Sequence, residues 1–375
     1  MHNPFQNVKK IEAKPFTSLP AKFRKKRRSA WSDPNRGGAP VDSFLEGPSF
    51  DRDGNLWCVD IPFGRIFRID PKGEWELAVQ YDGWPNGLKI HKAGWVFIAD
   101  YRRGLMLLDP KSGKIDSYLA TVFSEAFKGL NDLHFADNGD LYFTDQGQTG
   151  IADPSGRVYR MRSNGELQRL IDNAPSPNGI TLNTTNTHVY VAVTRAQQIW
   201  RLPLMAGGTL SKAGVAIQLS GGHAGPDGIE MDEEDGILVC HLGVGVWRFD
   251  SNFLSTHLVH AGKSHRLMTN IAFGGPKGRT LYITDSLNGE ILTAEMPVAG
   301  KKMLASKMRP LRSHSGCVDS VFRSHPSVQR YSEGSPLGSE APKSVARWTT
   351  SGHVNRAADR AYTAAAIQIR RMTTR

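Results

Sequence analysis

A strand–turn–strand pattern recurs six times through the middle of this 375-residue chain. In each copy a short apolar segment meets a turn containing Gly or Asn and then a second segment rich in aromatic and β-branched residues, which is typical of a β-hairpin. The copies read PSFDRDGNLWCVD, KIHKAGWVFIAD, LHFADNGDLYFTD, ITLNTTNTHVYVAV, IEMDEEDGILVCHL and IAFGGPKGRTLYITD. Another β-rich pair follows each hairpin, so each unit holds about four strands, as a propeller blade does.

Six such units predict an all-β protein in which residues 41–305 form a six-bladed β-propeller with about four antiparallel strands per blade. Radial repetition leaves few sheet edges exposed, which favours this arrangement. A pair of stacked β-sandwiches is the competing arrangement, but it does not require six similar units. Amphipathic helical periodicity is nearly absent between residues 41 and 300, in agreement with an all-β domain.

The two ends of the chain differ from its middle. Residues 1–30 and 306–375 each carry a formal charge of +8, whereas residues 31–305 carry −5. Because the basic character lies outside the predicted domain, no nucleic-acid partner is expected. Residues 1–40 are predicted to be a basic, solvated lead-in. Residues 306–375 form a Ser/Arg-rich tail without strand periodicity, and we expect it to be disordered.

Cysteine usage and hydropathy bear on the compartment. Cys58, Cys240 and Cys317 are too few and too scattered for a disulfide framework or a Cys-based zinc site, which suits a reducing compartment. No apolar segment follows the charged start, and no apolar run approaches membrane-spanning length. We therefore expect a soluble, cytoplasmic protein without a membrane partner, and the sequence leaves protein partners open.

Aligning the six copies places one oxygen-bearing side chain at the same position, just before the first strand of each unit. Successive members of the set are 40 to 49 residues apart. The first strand of a propeller blade is the innermost, so equivalent positions at its start form a ring around the central axis on one face. The residues in this alignment are Glu46, Asn86, Asn131, Asn178, Asp227 and Asn270.

Two interpretations of this ring remain open at the level of the residues. Asn or Asp before Gly is a common turn former, and the sequence around Asn86 suits that role. Turn formation explains Asn131 and Asn270 less well, because neither precedes a Gly, and it does not require Glu46. A hard cation held by inward-pointing oxygens accounts for the whole set, since Ca²⁺ takes about six to eight oxygen ligands.

Four motifs in order along the chain resemble the regucalcin/gluconolactonase family of six-bladed propellers, which also includes luciferin-regenerating enzymes. The motifs are FLEGPSFDRDGNLW, GLNDLHFADNGDLYFTD, SPNGITLN and GPDGIEMDEEDGIL, and the similarity covers about residues 41–300. Members of this family are divalent-metal-dependent hydrolases, mostly lactonases, with one metal at the top of the central channel. The resemblance therefore implies a metal-dependent lactonase that acts on a small-molecule lactone.

Carried over to this sequence, the resemblance implies that Glu46, Asn178 and Asp227 are metal ligands and that Asn131 contacts either the metal or the substrate. We include Asn131 in the implied ligand set. It also implies that Asp227 and Asn131 are catalytic, with Asp227 orienting or deprotonating the attacking water; metal-bound water is an equally plausible nucleophile. Some relatives have an arginine two residues before Asn131, where it contacts a sugar lactone. Here that position is Gly129, which argues against an aldonolactone substrate.

The charge of the implied ligand set bears on the metal and its chemistry. Two carboxylates and two amides would roughly neutralise a divalent ion, and oxygen-only ligation favours Ca²⁺, with Mg²⁺, Mn²⁺ or Zn²⁺ as alternatives. The metal would polarise the lactone carbonyl as a Lewis acid. A phosphotriester hydrolase using the same site and a non-catalytic, protein-binding propeller are the alternative functions.

Other polar residues are assigned simpler roles. Arg195 follows a strand end in the fourth unit and could receive the acid formed by ring opening, although surface exposure is the simpler explanation. One aspartate ends the second strand in four units, and this recurrence predicts a role in turns or blade packing rather than catalysis. These residues are Asp60, Asp100, Asp145 and Asp285.

Overall fold

Six large β-sheets are arranged around a central channel. The computed structural model describes residues 8–122, 124–222, 224–262 and 266–306. The innermost strands contact one another in a closed ring, from the first blade to the sixth and back to the first. Six apolar clusters fill the spaces between successive blades. The predicted six-bladed propeller is confirmed. The predicted tail, residues 306–375, lies outside the described residues except for its first residue.

The chain enters through β1 (Lys9–Glu12), β2 (Lys14–Ser18), a 3₁₀ turn at Ala21–Phe23 and α1 (Ser32–Arg36). Blade 1 contains β3 (Leu45–Phe50), β4 (Leu56–Asp60), β5 (Arg65–Ile69) and β6 (Trp75–Gln80). Blade 2 contains β7 (Pro85–Ile90), β8 (Val96–Asp100), β9 (Gly104–Leu108) and β10 (Ile115–Leu119). A small hairpin of β11 (Thr121–Val122) and β12 (Glu125–Ala126) follows.

Blade 3 contains β13 (Leu130–Phe135), β14 (Leu141–Asp145), β15 (Gly156–Met161) and β16 (Leu167–Ala174). Blade 4 contains β17 (Pro177–Leu182), β18 (His188–Val193), β19 (Gln198–Pro203) and β20 (Gly214–Gln218). Blade 5 contains β21 (Pro226–Met231), β22 (Ile237–His241), β23 (Gly245–Phe249) and β24 (Ser255–His260). Blade 6 contains β25 (Met268–Gly274), β26 (Thr280–Asp285) and β27 (Glu290–Glu295).

The two strands at the start of the chain complete the last two blades. Strand β2 pairs with β27 in antiparallel orientation as the fourth strand of blade 6, and β1 pairs with β24 in parallel orientation. The prediction that residues 1–40 are only a solvated lead-in is therefore wrong. The physical reason is that β27 would otherwise present an unpaired edge, and the chain start supplies its partner. Arg24, one of the basic residues in this lead-in, also donates hydrogen bonds to the carbonyl oxygens of Leu19 and Asn288 at 2.9 and 2.8 Å.

The recurring aspartates at the ends of the second strands hold the blades together, which confirms their predicted packing role. All four are fully buried. Asp60 accepts the amide of Phe44 at 2.7 Å and forms an ion pair with Arg65. Asp145 likewise accepts the amide of Gly129 at 2.8 Å. Each carboxylate thereby fixes the loop that leads into an inner strand.

Residues 300–305 close the lower face of the channel, where the inner strands end. The amide of Lys301 donates to the carbonyl of Met231 at 2.8 Å, and its Nζ donates to the carbonyl of Leu182 at 3.1 Å. At the other end of the segment, Ala305 is buried in the apolar cluster between blades 1 and 2. None of the helices in the described part of the chain is long and apolar enough to span a membrane.

Candidate active site at the upper end of the channel

The aligned polar residues lie inside the inner strands rather than in turns. Asn178 is the second residue of β17 and Asp227 the second residue of β21, and Glu46, Asn86 and Asn131 hold the same place in their strands. In each of these strands the register of pairing with the second strand shifts beside the polar residue, which marks a β-bulge. Such bulges re-aim side chains. The turn interpretation of the Pro-Asn-Gly triplets is therefore wrong.

The sixth member of the ring is Thr269, not Asn270, so the sequence alignment was wrong by one residue in blade 6. The amide of Asn270 donates to Thr284 and its Oδ1 accepts the amide of the next residue, at 3.0 and 2.8 Å. Asp132 makes the same two contacts in blade 3, also at 3.0 and 2.8 Å. Asn270 is thus equivalent to Asp132. We call the corrected set the upper ring: Glu46, Asn86, Asn131, Asn178, Asp227 and Thr269.

The upper ring has an acidic half and an amide half. Its carboxylates belong to blades 1 and 5, on either side of the threonine of blade 6, whereas blades 2, 3 and 4 contribute the three asparagines. Glu46 and Asp227 are 4% and 8% exposed, and Asn131 and Asn178 are 5% and 8% exposed. All four residues of the implied ligand set therefore lie together, in one buried ring.

The pKa values of both carboxylates of the upper ring are raised. Burial raises the pKa of Glu46 to about 7, although hydrogen bonds from Asn270 and Thr269 oppose the shift. Burial and the charge of Glu46 raise the pKa of Asp227 well above its ordinary value, and a hydrogen bond with Asn178 and the charge of Arg195 oppose this. The charge of each acid therefore disfavours ionisation of the other, and in the described part of the chain neither forms an ion pair.

A hydrogen-bond network fixes the amide of Asn131. Its Nδ2 donates to Oε1 of Gln146 at 2.8 Å, and Nε2 of Gln146 donates to Oγ of Ser176 at 2.9 Å. This orientation leaves Oδ1 as the atom of Asn131 available to a cation or a substrate. The sequence interpretation did not identify Gln146. Its position directly after the recurring aspartate Asp145 is the signal that could have revealed it.

Hydroxyl groups at the ends of the second strands position the ring residues of the following blade. Oγ1 of Thr144 donates to the carbonyl of Asn178 at 2.7 Å. Oγ1 of Thr194 donates to the carbonyl of Pro226 at 2.8 Å, next to Asp227. Sequence reasoning missed these residues because each contact joins two different blades.

Glycine after a ring residue permits close approach of neighbouring inner strands. A Cβ on Gly179 would lie 2.4 Å from the carbonyl oxygen of Asp227. A Cβ on Gly228 would lie 2.3 Å from Oδ1 of Asn270. Both distances are far below van der Waals contact, so any side chain would push the strands apart. These glycines bring Asn178 towards Asp227, and Asp227 towards blade 6.

The described residues fit a hard divalent cation at the upper ring. Two buried carboxylates lie near each other, and neither forms an ion pair among the described residues. A cation would replace the protons that these acids otherwise retain. Among the described residues no group of three or more His, Cys, Asp and Glu side chains could hold a metal. A site here therefore depends on the amide oxygens of the asparagines as well as the two carboxylates.

We expect the metal-free protein to lose stability as the pH rises from about 4.5 to about 7. The folded-state pKa of Glu46 is raised from 4.5 to about 7, so in this window the folded state binds more protons than the unfolded state, and raising the pH favours unfolding. Urea unfolding in EDTA at several pH values measures the effect. Glu46→Gln should flatten the dependence. Stability of the metal-free protein that rises through this window would contradict the prediction.

Comparison with known proteins identifies relatives of this chain. A family model described as the SMP-30/Gluconolactonase/LRE-like region matches residues 44–286, more than half of the chain. The chain is 30% identical over 213 residues to lactonase drp35 of Staphylococcus aureus (strain MRSA252), an alignment that covers 54% of this chain and 64% of the relative. Lactonase drp35 of Staphylococcus epidermidis (strain ATCC 12228) is 29% identical with the same coverage. The chain thus spans less than two thirds of the length of these curated relatives.

Solved structures share the fold. A gluconolactonase from Xanthomonas campestris superposes with a TM-score of 0.61 at 20% identity, covering 76% of this chain and 98% of that chain. Regucalcin from Agrobacterium tumefaciens strain C58, described as a calcium-binding protein, gives 0.64 at 21% identity, covering 81% and 100%. At these identities the likeness shows the fold alone. Because the family model matches more than half of the sequence, the chain belongs to the SMP-30/gluconolactonase/LRE-like family.

Proposed function

We propose that this chain is a divalent-metal-dependent lactonase whose active site is the upper ring. One observation carries the proposal: two buried carboxylates, Glu46 and Asp227, lie together beside the amides of Asn131 and Asn178, and neither forms an ion pair with any residue that the structure describes. This donor set suits a hard cation at the open end of a channel. Because the curated relatives are named lactonases, we propose cyclic esters as the substrates.

The metal would be held by Glu46, Asn131, Asn178 and Asp227. Oxygen-only ligation favours Ca²⁺, with Mg²⁺ or Mn²⁺ next and Zn²⁺ less well matched. Regucalcin, a structural neighbour, is described as calcium-binding, which agrees with this order. When bound, the ion would supply Lewis-acid polarisation of the lactone carbonyl.

The chain's own residues would position water and substrate. Asp227 is the carboxylate that would orient the attacking water and accept its proton, because it lies in the acidic half of the ring and is held by Asn178. Asn131, fixed by Gln146, would present its Oδ1 on the opposite, amide half. Arg195 is exposed, and its charge reaches Asp227, so it could attract the carboxylate formed by ring opening.

A substrate panel with metal removal tests the proposal. Acid release from sugar, aliphatic and aromatic lactones and from one phosphotriester is followed before and after EDTA, with Ca²⁺, Mg²⁺, Mn²⁺ or Zn²⁺ added back. We expect at least one lactone to be hydrolysed, activity to be lost in EDTA, and Ca²⁺ to restore it best. If no lactone reacts with any metal, the proposal fails, and turnover of the phosphotriester alone would reassign the site.

A further inference from the structure

A buried ion pair crosses the channel below the upper ring. Nζ of Lys89 lies 2.7 Å from Oε1 of Glu230, and each side chain is only 6% exposed. Lys89 belongs to blade 2 and Glu230 to blade 5, which face each other across a six-membered ring of blades. Both residues lie three positions after the ring residue of their strand, and the bulge in each strand offsets the alternation by one residue, so that both side chains point inward.

The surroundings of the Lys89 ammonium are rich in oxygen. Asp132, one level above, attracts Lys89 electrostatically, and Glu230 and Asp132 repel each other. At the level of the pair, Oγ1 of Thr181 is buried and has no hydrogen-bond partner among the described residues, and Ser49 is 7% exposed. Two carboxylates and uncharged oxygens around one positive charge are the surroundings that a hard divalent cation prefers.

The pair also separates the upper ring from the space beneath it. A cavity of about 360 Å³ lies on the lower side, and its lining includes Lys89, Glu230 and Ser49 together with Lys301 and Met303 of the closing segment. Because Lys89 lines this cavity, a divalent ion placed there would meet the positive charge of its ammonium group. Like charges at such short range repel strongly when they are shielded from water.

We propose that, at the level of the Lys89–Glu230 pair, which we call the deeper level, the Lys89 ammonium takes the place of a metal ion. The chain would then bind one divalent ion at the upper ring and none below it. The inference rests on the proposed metal site. A covalently attached ammonium neutralises part of the charge of Glu230 and Asp132 and needs no ion from solution. The deeper level thereby keeps its structure when the upper ring is empty.

Metal stoichiometry of the wild-type chain is the first test. The protein is stripped with EDTA, titrated with Ca²⁺ and with Mn²⁺ by isothermal calorimetry, and assayed for bound metal by mass spectrometry. We expect one ion per chain. Two ions per chain would overturn the inference. No bound ion would contradict the proposed metal site at the upper ring and, with it, the inference that rests on that site.

Removing the lysine charge is the second test. Lys89→Met should bind two ions per chain, because Glu230 and Asp132 then lack a positive partner, and the double variant Lys89→Met/Glu230→Gln should return to one. Lys301→Met is the matched control, because this other buried lysine lies in the segment at the lower face, where its ammonium donates to the carbonyl of Leu182. The control should bind one ion.

Two results with these variants would contradict the inference. A folded Lys89→Met protein that binds one ion with wild-type affinity overturns it, as does a second ion that persists in the double variant. If Lys89→Met does not fold in EDTA, Lys89→Gln is measured in the same way, since its amide keeps a polar contact with Glu230. If neither folds, the wild-type stoichiometry alone decides the matter.

Discussion

Replacing Asp227 with asparagine is expected to lower kcat/KM for lactones by about 10³-fold, the scale of a lost proton acceptor. Asparagine retains the shape and one oxygen of the side chain but removes the charge. Calcium affinity should fall as well, because Glu46 alone would then carry the negative charge of the ring. Steady-state kinetics and calorimetric titration with Ca²⁺ measure the two effects.

The same substitution should leave the fold intact. Burial and the charge of Glu46 both disfavour ionised Asp227 in the metal-free protein, so its removal should maintain or raise the midpoint of thermal unfolding. Asp70→Asn is the matched control, since this carboxylate only accepts turn amides between β5 and β6, at 2.8 and 2.9 Å. Wild-type turnover by Asp227→Asn would remove Asp227 from the mechanism.

Replacing Asp60 with alanine should destabilise the protein by about 3–5 kcal/mol, the usual result of removing one partner of a buried ion pair. The substitution leaves the buried Arg65 guanidinium without its carboxylate and the amide of Phe44 without its acceptor. Urea unfolding with Ca²⁺ present measures the change. The loop that Asp60 fixes leads directly to Glu46, so Ca²⁺ affinity should fall only modestly.

Asp82→Ala is the control for this second substitution. Asp82 also pairs with arginines, Arg102 and Arg103, but its side chain is 70% exposed. Water screens exposed pairs, so we expect the free energy of unfolding to change far less than with Asp60→Ala. Equal destabilisation by the two substitutions would show that burial does not govern the contribution of Asp60.

Much of the fold could be predicted because each hairpin is a local pattern. Alternating apolar residues around a turn specify two paired strands within about fifteen residues, and six repetitions leave a propeller as the simplest closed arrangement. The strands at Lys9–Glu12 and Lys14–Ser18 were not predicted. They carry polar, basic sequences, and only the unpaired edges of β24 and β27, far along the chain, give them partners.

The candidate site was predictable in part. Spacing placed Glu46, Asn131, Asn178 and Asp227 at equivalent positions, and all four lie in the upper ring. Spacing failed in blade 6, where Asn270 is equivalent to Asp132, one residue after the ring position, and Thr269 lies in the ring. A shift of one residue reverses the direction of a side chain on a strand, and no count of loop residues can detect it.

The sequence by itself determined the repeat, the number of blades and the acidic and amide side chains at the start of the inner strands, because these depend on short-range patterns. Only the tertiary structure decided that the Pro-Asn-Gly triplets are strand rather than turn and that Glu46 and Asp227 share one buried space. It alone placed Lys89 against Glu230, 141 residues away. Ring closure brings distant blades together, and that proximity, not local propensity, sets the charge balance of the channel.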